Sequence, residues 1–203
     1  MKIQGKVGTQ RLSDGVEADM RLSRSGSVVT SQSGGQYTEA SLGGNMYIGS
    51  DLGGTAVTTQ GGLSATTPAL TLYNPVGSGV NLSLMTVTIG VTASPAAAAT
   101  FMLAYNLATA AAPTLTTLAN VTNAQLTKNG QPIGQCARVS TLAAAPLAFR
   151  FLGGTAGAAG IESTNLVDHV DGEVIIPPGV AISVQSTSAA AILASFTWEE
   201  III

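Results

Sequence analysis

The sequence predicts an all-β protein: an antiparallel β-sandwich or barrel carrying an extended N-terminal arm. Three observations predict it. Short apolar segments recur every 8–12 residues or so, separated by Gly, Pro and Asn turns, the pattern of stacked antiparallel sheets. No segment of useful length carries the 3.6-residue apolar period of an amphipathic helix. The third is a 76-residue stretch, Leu52–Thr127, that contains no Asp, Glu, Lys, Arg or His. A charge about every four residues is usual, so this stretch belongs mostly inside a fold or against copies of itself.

The arm comes first, over 1–62. Five of the eight basic residues lie in its first 24 positions: Lys2, Lys6, Arg11, Arg21 and Arg24, partly offset by Asp14, Glu17 and Asp19. Gly pairs follow at Gly34-Gly35, Gly43-Gly44, Gly53-Gly54 and Gly61-Gly62. Repeated Gly pairs cut a chain into short extended pieces, which fits a partner-ordered arm or short strands added to a neighbour's sheet.

The sandwich occupies 63–203. Ala69–Val76 reads as a strand ending at Asn74-Pro75, with a Gly77-Ser78-Gly79 turn behind it. Val80–Val91 is a long strand whose apolar parity switches: Val80, Leu82 and Leu84 first, then Met85, Val87, Ile89 and Val91. Such a switch signals either a bulge or a strand dry on both faces. The second option assigns one face to the core and the other to a neighbouring subunit. Thr100–Ala108 alternates Phe101, Leu103, Tyr105 and Leu107 and reads as a strand, although the preceding Ala run favours helix locally. Pro113–Asn120 is Thr-rich and extended, and Asn129-Gly130 is a hairpin signal. Ile133–Leu142 and Leu147–Leu152 are further strands. Ile161–Asp171 reads as an acidic loop. Glu173–Ile176 is a short strand, Pro177-Pro178-Gly179 a type II turn with Pro then Gly at its centre, and Val180–Gln185 and Ala190–Ile203 are the last two strands.

Chemistry is sparse. His169 sits in Asp168-His169-Val170-Asp171, but one His and a distant Cys136 do not make a zinc site, since metal ligation takes at least about three convergent N, O or S ligands. Glu162, Asp168, Asp171 and Glu173 supply oxygens for calcium without the fixed loop spacing of known cages. A serine nucleophile would have only His169 as its base, and the sequence holds no Gly-x-Ser-x-Gly elbow. No enzyme, cofactor or metal is therefore expected. Tyr37, Tyr47 and Trp198 are the aromatics available as exposed platforms for a sugar. The single Cys136 forms no intrachain disulfide. Net charge is −3 and pI about 4.9, which disfavours nucleic acid as a partner. Ala96–Ala112 is short for a membrane span and lacks basic flanks; Met1–Lys6 is followed by no apolar leader segment. Charged residues make up 9% of the chain against about 25% in ordinary globular domains. The simplest consequence is a homo-oligomer in which partner subunits cover much of the surface. Val87, Ile89, Val91, Trp198 and Ile201 are the expected interface residues.

The segments Ile175-Ile176-Pro177-Pro178-Gly179-Val180-Ala181-Ile182-Ser183-Val184 and Ser195-Phe196-Thr197-Trp198-Glu199-Glu200-Ile201 resemble the ends of head-associated virion structural proteins of tailed bacteriophages. That resemblance implies a jelly-roll-like sandwich and a homotrimer seated on the major capsid protein at the capsid surface. It implies further that residues 1–62 anchor the protein, with Lys2, Lys6, Arg11, Arg21 and Arg24 meeting the shell. The expected function is capsid decoration, with a tail or fibre component, a glycan-binding surface module and a small jelly-roll shell protein as alternatives.

Overall fold

A computed structural model describes residues 35, 37–51, 56–59, 61–93, 95–107, 111–126, 130–157 and 165–203. Ala40–Ile203 forms one compact unit; Met1–Glu39 clusters separately, and most of it lies outside the described residues. The described residues comprise one short helix, α1 (Thr38–Gly43), and twelve strands. The expectation of an all-β antiparallel sandwich holds.

The first sheet is built from β1 (Met46–Ser50), β4 (Val80–Ala93), β7 (Asn120–Asn123), β10 (Asn165–Ile176) and β12 (Ala191–Ile202), in the order β10-β4-β12-β1-β7. The two-residue β2 (Val57–Thr58) adds to β12. The second contains β3 (Thr71–Tyr73), β5 (Ala99–Leu107), β6 (Thr114–Leu118), β8 (Gln135–Thr141), β9 (Leu147–Thr155) and β11 (Val180–Ser186), in the order β6-β8-β3-β11-β5-β9. With β2, β6, β7 and β8 set aside, two four-stranded sheets remain, β1-β12-β4-β10 and β3-β11-β5-β9. Eight antiparallel strands crossing between two sheets in this order make a jelly roll. The β6–β8 excursion, inserted between β5 and β9, widens both sheets on the side away from β9 and β10.

Alternation places the core. Along β12, Ile192, Ala194, Phe196 and Trp198 point inward and are buried, while Leu193, Ser195, Thr197 and Glu199 are half-buried on the outer face. Phe101 and Leu103 of β5, Ile182 and Val184 of β11, and Leu70 and Leu72 at β3 meet them from the second sheet. Each such side chain contributes about 1.5–3 kcal/mol on burial.

The parity switch in β4 is a bulge. Thr86 faces Thr197 and Leu84 faces Trp198, so Met85 is one residue too many against β12. On the opposite flank the β10 register jumps between His169 and Val174, where Asp171 (φ 51°) and Gly172 (φ 84°) take left-handed conformations. The extra residue turns Val87, Ile89 and Val91 onto the same inner face as Val80, Leu82 and Leu84. The outer face of β4 carries Thr86, Thr88 and Gly90; Thr88 and Ser195 share a hydrogen bond across it.

Three other expectations are revised. Residues 46–50 and 57–58 do not lie outside the sandwich: β1 is hydrogen-bonded between β12 and β7, β2 adds to β12, and Tyr47 belongs to the core. The acidic loop and the short strand after it are one twelve-residue strand over its described part, β10. Strands β7 and β8 lie in different sheets, so no hairpin joins them across the Asn129-Gly130 signal, whose Asn129 lies outside the described residues. The Pro177–Val180 turn is as expected, with Gly179 at φ 85° and the Val180 N–H donating to the Pro177 carbonyl at 3.2 Å.

Candidate functional site

The five arm residues Lys2, Lys6, Arg11, Arg21 and Arg24 lie outside the described residues. Four of the five expected interface residues are corrected. Val87, Ile89, Val91 and Trp198 are buried in the chain's own core and have no surface to offer a second subunit. The bulge at Met85 is the reason for the first three. Trp198 points inward and stacks on Tyr47, ring centroids 6.0 Å apart and 28° between planes. Neither ring is therefore a sugar platform. Ile201 alone keeps an outward face, 42% exposed.

Trp198 leads to a carboxylate clamp. Glu200, buried at the end of β12, accepts hydrogen bonds from the backbone N–H groups of Ile133 and Gly134, both at 2.8 Å, and from the Trp198 indole at 3.4 Å. The clamp fixes the segment entering β8 over the end of the core. Asn123 of β7 donates to the Gly44 carbonyl at 2.7 Å close by. Burial, and secondarily the charge of Glu200, holds the Tyr47 hydroxyl above the ordinary tyrosine range. Gly49 completes the packing: a Cβ there would sit 2.8 Å from Cys136 Sγ and 3.0 Å from the Trp198 ring. Cys136 is an enclosed thiol whose pKa burial drives up, the opposite of an activated nucleophile.

Asp51, just past β1, accepts the Ala194 N–H at 2.7 Å through Oδ2, while Oδ1 is buried without a partner. Burial raises its carboxyl above the usual range, opposed by the Ala194 hydrogen bond and by the charge of Arg138.

The acidic residues once grouped for calcium have a different use. Arg150 of β9 reaches across to β10, donating to Asp168 at 2.6 and 3.1 Å and to Glu173 at 2.9 Å. These hydrogen bonds hold its guanidinium firmly protonated. The bridge ties the edge strand of one sheet to the edge strand of the other. Among the described residues no group of three or more His, Cys, Asp or Glu is placed to hold a metal, and His169 is exposed. Glu162 lies outside the described residues.

Beside these polar groups the lateral edge presents apolar side chains to solvent. A groove of about 340 Å³ opens between β9 and β10, lined by Tyr105, Leu107, Phe149, Val174, Ile175, Ile176, Val180 and Ile182. Phe149 packs edge-on against Tyr105, with ring centroids 6.0 Å apart. Leu147 and Phe151 flank it on β9, exposed. Sequence reasoning missed these residues because the alternation in 147–152 looks the same whether or not anything covers it. The residues that were legible as a strand were not legible as an edge.

Comparison with protein-family models, with curated proteins and with solved structures gives no match.

Proposed function

We propose that the chain is a non-enzymatic structural protein of a virion, a capsid decoration or cement protein that works by contact area. The observation that carries this reading is the exposed apolar edge of a charge-poor jelly-roll sandwich. Its apolar side chains face solvent where a contact protein would bury them at about 25 cal/mol per Å², offset by the costs of association. The resemblance of the closing Pro-Pro-Gly–strand–Trp-Glu-Glu segment to phage head-associated proteins supplies the setting: a homotrimer on the major capsid protein, anchored by the basic N-terminal residues.

Deleting residues 1–24 tests the anchoring. The truncated protein is expected to remain a folded oligomer by circular dichroism and light scattering, and to lose sedimentation with purified heads. Full decoration of heads by the truncated protein would refute the arm's role. Recovery of the full-length protein in tail fractions alone would place it as a tail or fibre component instead.

A further inference from the structure

We infer that the β9–β10 edge is covered by a second copy of this chain. The inference deepens the structural role proposed above and rests on it for its biological setting, while its physical grounds are separate. Among the described residues strand β9 ends its sheet, with β5 as its sole neighbour in the ladder. Five large apolar residues around that edge stand in water: Leu107 at 50%, Leu147 at 57%, Phe149 at 39%, Phe151 at 72% and Ile175 at 46%. A whole side chain of the largest kind carries about 150–250 Å², so together they leave on the order of 500 Å² of apolar surface exposed. The largest apolar patch on an ordinary monomer is about 300–600 Å², and patches of that size are commonly functional. A stable pairwise contact takes about 800 Å² from each partner, so these five side chains supply more than half of one.

The charges fit association between copies. Arg150, the one cation of β9, is already held by Asp168 and Glu173 of the same chain, so covering the edge does not strand it without a counter-charge. A second copy brings an equal apolar patch with its own Arg150 paired in the same way, which suits a self-complementary contact. Register irregularities in β9, opposite Phe101/Met102 and Leu103/Ala104, interrupt a continuous ladder along the strand. Side-chain packing therefore carries the contact, with Phe149 and its groove at the centre.

Light scattering on the full chain after size exclusion, at micromolar concentration, tests this. A mass of at least twice 20.3 kDa is expected for the unmodified protein. The Leu147→Glu/Phe151→Glu double variant is expected to run as a monomer, with an unchanged circular dichroism spectrum and a Tm within a few degrees. Ile202→Glu, at the exposed C-terminal end of β12, is expected to leave the mass unaltered. A monomeric unmodified chain, a double variant that still assembles, or loss of assembly in Ile202→Glu alone would each overturn the inference. The two readings fail separately: an oligomer that ignores heads counts against the virion role only, and head binding by a monomer counts against this contact only.

Discussion

Strands β12 and β9 look alike in sequence and end in opposite environments. Each carries two aromatics two residues apart, Phe196 and Trp198 in one, Phe149 and Phe151 in the other. In β12 both rings are fully buried; in β9 they are 39% and 72% exposed. The difference is the number of neighbours. β12 is hydrogen-bonded to β4 on one side and to β1 and β2 on the other, with the second sheet against its inner face. Among the described residues β9 pairs with β5 alone. An alternating pattern prescribes a strand with an apolar face; which strand becomes an edge is decided by long-range pairing that no local window contains.

The largest expected effect tests the β12 side of that contrast. Trp198→Ala removes a fully buried ring and is expected to cost about 3–5 kcal/mol in urea unfolding, leaving the mass of the folded fraction unchanged. If it altered the mass as the β9 variants do, core and contact surface would not be separable. Glu200→Ala comes next. It strands the Ile133 and Gly134 N–H groups, which is expected to cost about 2–3 kcal/mol; Glu200→Gln keeps an acceptor and should recover most of it. Equal losses in the two variants would show that the hydrogen bonds are not what matters there.

The smallest effect is a pH dependence at Asp51, whose Oδ2 holds β12 at Ala194. Its folded carboxyl is raised by burial, so the folded state binds that proton more tightly than the unfolded chain does. The stability it contributes is complete below the ordinary carboxylate pKa of about 3.9 and is lost as pH climbs through the folded value. Asp51→Asn retains the acceptor for Ala194 without the charge. Its Tm relative to the unmodified protein is therefore expected to improve between about pH 4 and pH 7. A difference that is flat, or that runs the other way, would show that the buried charge is compensated.

Much of the fold was legible because several strands carry their own signals. Val180–Gln185 and the turn before it needed only Pro, Gly and alternation. Val80–Val91 declared its length and its irregularity, but two physical explanations fit a parity switch. Only the partner register, with Met85 unmatched between Leu84 and Thr86, selects the bulge and removes Val87, Ile89 and Val91 from the candidate interface. Asn165–Ile176 was hidden because its polar residues face outward from an edge strand and Gly172 interrupts the alternation. Met46–Ser50 was hidden among Gly pairs, which read as an arm although the segment completes the first sheet. The apolar edge was invisible for the reason that separates β9 from β12.

The pairing of the first core strand with the last has a mechanical consequence. Met46 of β1 lies opposite Glu199 of β12, and the Glu200 N–H donates to the Asn45 carbonyl at 2.8 Å, so the chain enters β1 and leaves β12 side by side. Antiparallel ladder bonds run perpendicular to the strands. A pull applied between residue 45 and the C-terminus would load them one rung at a time and peel the two strands apart like a zipper. The same force directed along the strands in opposite senses would meet every rung at once. The sandwich is thus weak to tension applied between those two points and strong to shear along its sheets, a directional resistance that single-molecule pulling from alternative attachment sites would measure.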